Sequence, residues 1–141
     1  QYESALRSWA KSHPENIGVC IVLDEAMSHL VEAGSDFFLM PSVFEPCGLN
    51  QMYSQRYGTV PLVSKVGGLR DTVIDLEENP REGTGIVFEA KDETFLGALE
   101  MSLALYNDKK AYAEVQRRGM ERDFSWDGVT RKYEELYLQS I

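Results

Sequence analysis

Phe37-Phe38-Leu39-Met40 is followed at once by Pro41-Ser42-Val43-Phe44-Glu45-Pro46-Cys47-Gly48-Leu49-Asn50-Gln51. The first four residues read as a short strand buried on both faces, stopped by Pro41, and the polar residues past Gly48 open a helix over 48–57 that Gly58 closes. The same order returns downstream. Residues 60–64 read as a strand, Gly67-Gly68 leads into a short helix over 69–76, and after a polar loop at 77–84 residues 85–89 read as another strand. Upstream, residues 17–23 form a continuous apolar, β-branched run of strand type. Asp24 then caps a helix over 25–33, with Ala26, Leu30 and Ala33 on its packed side and Gly34 as its stop. Four strands alternating with helices predict βαβ units and an α/β fold: a Rossmann-like, doubly wound parallel sheet.

The flanks are helical. Ala5, Leu6, Trp9 and Ala10 space a helix over 3–11, before His13-Pro14. Asp92 caps a helix to about residue 106, a second covers 109–122, and a third starts at Trp126 with Val129, Tyr133, Leu136 and Tyr137 as an apolar stripe that needs a packing partner. A doubly wound domain commonly has five or six strands. Four strands, and Gln1 opening inside a helical pattern without an initiator Met, predict that a first βα portion precedes this segment.

Composition narrows the functional classes. The 141 residues carry 14 Lys plus Arg against 23 Asp plus Glu, a formal net charge of −9, and 43% are hydrophobic. That content supports one folded domain with its own core. The acidic balance opposes nucleic acid, which is bound through phosphate neutralisation, and anionic membrane surfaces. No apolar run approaches the roughly 18 residues of a membrane span, and no signal-peptide layout opens the chain. Cys20 and Cys47 build no disulfide framework, which favours a reducing compartment. No Cys, His and Asp set has metal-ligand spacing, so neither metal nor cofactor is expected. Charge is uneven: residues 41–70 carry Arg56, Lys65 and Arg70 against Glu45 alone, a balance of +2, read either as chance or as a site for an anion.

Ligands of open α/β sheets bind beyond the carboxyl ends of the strands, here the loops after Met40 and Ser64. In the first loop, the helix start near 48–51 offers unpaired N–H groups and a partial positive charge suited to phosphate. Gly48 admits close backbone approach, and Asn50 and Gln51 add side-chain donors. Pro41, Pro46 and Gly48 can equally just shape a turn. Glu45 either caps the helix or hydrogen-bonds sugar hydroxyls and stabilises positive charge at a reacting carbon. The second loop, Lys65-Val66-Gly67-Gly68-Leu69-Arg70-Asp71, is a phosphate or hydroxyl cradle or a flexible turn. Cys47 has no neighbouring His to make it a nucleophile. His29 reads as a packed or surface residue, Asp75-Leu76-Glu77-Glu78 as a solvated loop, and Tyr106, Tyr112, Tyr133 and Tyr137 as packing residues.

Phe44-Glu45-Pro46-Cys47-Gly48-Leu49-Asn50-Gln51, Tyr57-Gly58-Thr59-Val60-Pro61 and Gly67-Gly68-Leu69-Arg70-Asp71-Thr72-Val73 closely resemble the C-terminal domain of glycogen and starch synthases. Ala33-Gly34-Ser35-Asp36-Phe37 and Phe124-Ser125-Trp126 extend the resemblance along nearly the whole chain. It implies a retaining glycosyltransferase of the GT-B architecture, two Rossmann-like domains closing over a nucleotide sugar, usually ADP-glucose, to extend an α-1,4-glucan. It further implies that Glu45 is the catalytic carboxylate, that Cys47, Gly48, Leu49, Asn50 and Gln51 line sugar and phosphates, and that Gly67, Gly68 and Leu69 form a second substrate-binding loop near the sugar and acceptor cleft. The expected partners are the nucleotide sugar, the glucan acceptor and the N-terminal domain of the same enzyme, in bacterial cytoplasm or plastid stroma. Two features depart from that pattern. Leu23 stands where the resemblance implies an aromatic stacked on adenine, and residues 1–16 hold neither the Lys-x-Gly-Gly-Leu motif of the N-terminal domain nor an Arg and a Lys for the distal phosphate. The chain alone is therefore expected to be inactive. The alternatives are a non-catalytic binding module and another GT-B transferase that uses a UDP-sugar.

Overall fold

The computed structural model describes residues 2–140; the helical opening expected at Gln1 lies outside the described residues. In chain order the elements are α1 (Tyr2–Ser12), α2 (Glu25–Gly34), β1 (Phe37–Met40), α3 (Asn50–Tyr57), β2 (Val60–Ser64), α4 (Gly67–Thr72), β3 (Ile86–Phe88), α5 (Asp92–Asn107), α6 (Lys109–Met120) and α7 (Trp126–Gln139). The fold is α/β, with a parallel sheet ordered β1-β2-β3 among the described residues. Phe37 stands opposite Val60, and Leu62 opposite Ile86. The helical connections β1–α3–β2 and β2–α4–β3 are the parallel crossovers that the alternating pattern predicts.

β2 is buried along its whole length, as its apolar run requires, and its residues alternate between two faces. Val60 packs with Leu105, Tyr112 and Val115 of the α5–α6 layer. Leu62 shares that face with Ile86, Phe88 and Ala98. On the opposite face Val63 packs with Leu69 and Val73. Gly58, at φ +81°, ends α3 in the left-handed conformation a C-terminal glycine supplies. Asp24 caps α2 as expected, accepting from the Met27 amide at 3.0 Å.

Five expectations are corrected. Residues 17–23 form no strand: no described strand pairs with them, and Val22 and Leu23 are exposed. An apolar run becomes a strand only where a neighbour takes its N–H and C=O groups. The packed side of α2 is also not Ala26, Leu30 and Ala33, which are exposed; Ser28, His29 and Glu32 turn inward. The reason is the partner, because α3 presents Asn50, Tyr53 and Tyr57 to α2. Lys91, rather than Asp92, occupies the N-cap of α5, since the Phe95 amide donates to the Lys91 carbonyl. Asp75 is not simply solvated, as its carboxylate accepts from the Val87 amide at 3.0 Å and so extends the edge of β3. Finally, α7 has no buried residue, and its stripe of Trp126, Val129, Tyr133, Leu136 and Tyr137 stays exposed within this chain. No described helix is long and apolar enough to cross a membrane.

Candidate functional site

The loops that follow β1 and β2 meet at the carboxyl end of the sheet. Their approach depends on Gly67 and Gly68. A Cβ at Gly67 would overlap the carbonyl oxygen of Glu45, and one at Gly68 would overlap that of Cys47. Gly67 also takes φ +40°, which disfavours any other residue. The Gly68 amide donates to the Glu45 carbonyl at 3.3 Å. Glu45 is thereby held by its backbone; the residue is half-buried, and its carboxylate has no hydrogen-bond partner among the described residues.

Gly48, at φ +71°, turns the chain into α3. The N-cap position is Leu49, which has no side-chain acceptor to offer. The backbone N–H groups of Gly48, Leu49, Asn50 and Gln51 therefore have no acceptor among the described residues. Gln51 is fully buried, so the three amides of Gly48, Leu49 and Asn50, with the positive end of a helix dipole behind them, are the donors that can meet an anion. Basic side chains contribute less than the +2 balance of residues 41–70 suggests. Lys65 pairs with Glu78 at 2.7 Å, Arg70 with Asp71 at 3.3 Å, and Arg56 donates to the Met120 carbonyl at 2.9 Å. What this segment offers an anion is therefore chiefly its backbone amides.

The side chains of Asn50 and Gln51 are already engaged. Asn50 Nδ2 donates to Glu32 Oε1 at 2.7 Å. Gln51 is fully buried, and its Nε2 donates to the carbonyls of Cys47 and Gly48 and to Thr72 Oγ1 at 3.0–3.1 Å. Gln51 thus stitches the first loop to α4, and the donors that α3 offers a ligand are its amides. Leu69 is likewise turned into the core, and its amide is used by the Val66 carbonyl. Cys47 is exposed and free, with Sγ directed at the Gly48 carbonyl at 3.5 Å. Leu49 is exposed. Glu45, Cys47, Gly48, Leu49 and Asn50 thus lie on the loop that packs against Gly67 and Gly68 at one end of the sheet, and Gln51 and Leu69 support it from inside.

Sequence reasoning missed Glu32. Its carboxylate is buried, with Oε2 unpartnered and 3.8 Å from His29 Nδ1, and burial raises its pKa. The available signal was its place two helical turns past the Asp24 cap on the same face as His29, which apolar periodicity does not weigh.

No family model matches the chain. All 141 residues align at 52% identity with a glycogen synthase of Opitutus terrae, spanning 29% of its length. A glycogen synthase of Myxococcus xanthus is 53% identical over 136 residues, 96% of this chain and 28% of that protein. The catalytic domain of starch synthase IV from Arabidopsis thaliana, solved bound to ADP and acarbose, superposes on 99% of this chain and 29% of its own, with TM-score 0.87 and 38% identity. Sucrose-phosphate synthase from Thermosynechococcus elongatus, at 24% identity and TM-score 0.68, shares the fold over 98% of this chain. The chain spans less than a third of the length of these glycogen synthases.

Proposed function

We propose that this chain is the donor-binding part of a glycogen or starch synthase, a retaining GT-B glucosyltransferase that moves glucose from ADP-glucose to the non-reducing end of an α-1,4-glucan. The observation that carries the reading is the joined pair of loops. Free amides at the start of α3 stand next to an unpaired carboxylate, Glu45, in a chain about half identical over its length to glycogen synthases. In this reading the amides of residues 48–50 hold the donor's diphosphate. As the bond from glucose C1 to the phosphate oxygen breaks, its electron pair goes to ADP, whose diphosphate those amides go on holding. The Glu45 carboxylate lies beside C1 and stabilises the positive charge developing there. The 4-hydroxyl at the non-reducing end of the glucan supplies the oxygen that bonds to C1, and its proton leaves with the ADP phosphate; the remaining phosphate contacts come from an N-terminal domain. The closed pair of domains excludes water that would otherwise hydrolyse the donor.

The test is a hybrid in which this chain replaces the matching segment of the Opitutus terrae glycogen synthase. Transfer of labelled glucose from ADP-glucose to glycogen should be restored. Glu45→Gln should lower kcat by about 100- to 1,000-fold without moving the thermal midpoint. Unchanged transfer by that variant would remove Glu45 from the chemistry.

One observation favours a second reading, a transferase using another sugar nucleotide: Leu23, in the place of the expected adenine-stacking aromatic, projects fully into solvent. Calorimetry of the hybrid with ADP and UDP separates the two. Tighter binding of UDP would change the donor, and binding of neither would favour a non-catalytic module.

A further inference from the structure

Glu32 is the one buried carboxylate among the described residues, and it touches both ends of α3. Its Oε1 accepts from Asn50, the first residue of the helix, at 2.7 Å. Its backbone carbonyl accepts from the hydroxyl of Thr59, just past the helix end, at 2.6 Å. Between these ties, His29 Nδ1 lies 3.8 Å from Oε2 and 3.3 Å from the Tyr57 hydroxyl, and the imidazole meets Tyr53 edge-on with ring centres 5.1 Å apart. The remaining charged group near His29 is Glu25, at 4.0 Å. Leu49 supplies no cap, so the first turn of α3 is held from outside by Asn50 on Glu32 and by Gln51 on the two loops.

A carboxylate placed at a helix start usually caps free amides. Glu32 bonds instead to the Asn50 side chain and leaves the amides open. We propose that Glu32 is a positioning residue: through Asn50 it sets the direction of the free amides at the start of α3, and with it the affinity of the site for the donor's diphosphate. This inference rests on the donor-site reading above. The held amides meet the diphosphate alike before and during transfer, so loosening them weakens binding and leaves the chemical step in place.

The hybrid enzyme provides the test, with ADP as the calorimetric probe, KM and kcat for ADP-glucose, and a thermal midpoint for every variant. Glu32→Leu removes the acceptor and should weaken ADP about tenfold and raise KM by a similar factor, with kcat within about twofold. Asn50→Ala should match it, and the double variant should lose little more than either single change. Glu32→Gln still offers Asn50 an acceptor oxygen, and turns a donor toward His29, so ADP should bind at least as well as to the unsubstituted hybrid. A folded Glu32→Leu hybrid that binds ADP normally overturns the inference and leaves the donor-site reading standing. An unsubstituted hybrid that fails to bind ADP overturns the donor-site reading and this inference with it. Should Glu32→Leu not fold, Asn50→Ala decides: normal ADP affinity overturns the inference, and a tenfold loss beside an unaffected Glu32→Gln supports it.

Discussion

Gly68 and Gly97 show how one residue type answers to two different demands. Gly68 has no positive φ; what it needs is space, because an added Cβ would meet backbone atoms of Cys47 that cannot rotate away. Gly97 lies in α5 with nothing within 4 Å of an added Cβ. Gly68→Ala should therefore destabilise the chain by about 1–3 kcal/mol through overpacking, and Gly97→Ala should stabilise it by about 0.4–1 kcal/mol through the unfolded state. Urea unfolding of both variants checks the pair, and a harmless Gly68→Ala would mean that the two loops are not in contact. This is also the scale at which the sequence was most informative about the site. Paired glycines after a strand announced close approach, and Pro46-Cys47-Gly48 announced a turn into a helix. The directions of Asn50 and Gln51 were not legible, because each amide is turned by an acceptor brought in from another element, Glu32 of α2 and Thr72 of α4.

Among the elements, β1, β2 and β3 were legible because each is a mainly apolar run between turn residues; only central β2 is buried along its length, and edge strand β1, expected to be buried on both faces, leaves Leu39 exposed. Residues 17–23 carry the same signal and form no strand, since pairing depends on a neighbour that local sequence does not describe. α2 failed differently: its inward face is polar because α3 is polar, and periodicity ranks Leu30 above Glu32. Tyr112 shows a tie between elements with a measurable titration. From α6 its hydroxyl donates to the Asp36 carbonyl, just before β1, at 2.8 Å, and burial with the nearby Asp36 carboxylate pushes its pKa up to about 12. A phenol whose proton is held more tightly in the folded state stabilises fully below its unfolded pKa of about 10 and loses that contribution as pH rises toward 12. Between pH 9 and 11.5 the chain should lose on the order of 1–2 kcal/mol from this group. Tyr112→Phe should be less stable at pH 9 and show a correspondingly shallower alkaline decline in urea midpoint; parallel declines would place the titration elsewhere.

For the whole molecule, the distribution of apolar surface is as informative as the core. The sheet and its α5–α6 layer enclose the core around Val60, Leu62 and Val115, whereas Tyr2, Leu6 and Trp9 of α1 and the stripe of α7 remain in solvent. Trp126 is 73% exposed and Leu136 58%, and neither helix has a buried residue. A stripe at regular helical spacing that buries nothing here is suited to a packing partner, whereas single scattered residues would not need that regularity. In the proposed enzyme that surface belongs to the part of the protein outside this segment. The two settings then predict different costs for one substitution. In the isolated chain Leu136→Ala should change the unfolding free energy by no more than about 0.5 kcal/mol, because the side chain is already in water. In the hybrid with the Opitutus terrae enzyme the same change should cost about 2–5 kcal/mol, the range for removing a packed leucine. Urea unfolding in both settings reads the difference, and Trp126 fluorescence should shift to shorter wavelength in the hybrid as its ring leaves solvent. Equal costs in the two settings would show that α7 remains unpacked in the whole enzyme and would leave its apolar periodicity without a structural role.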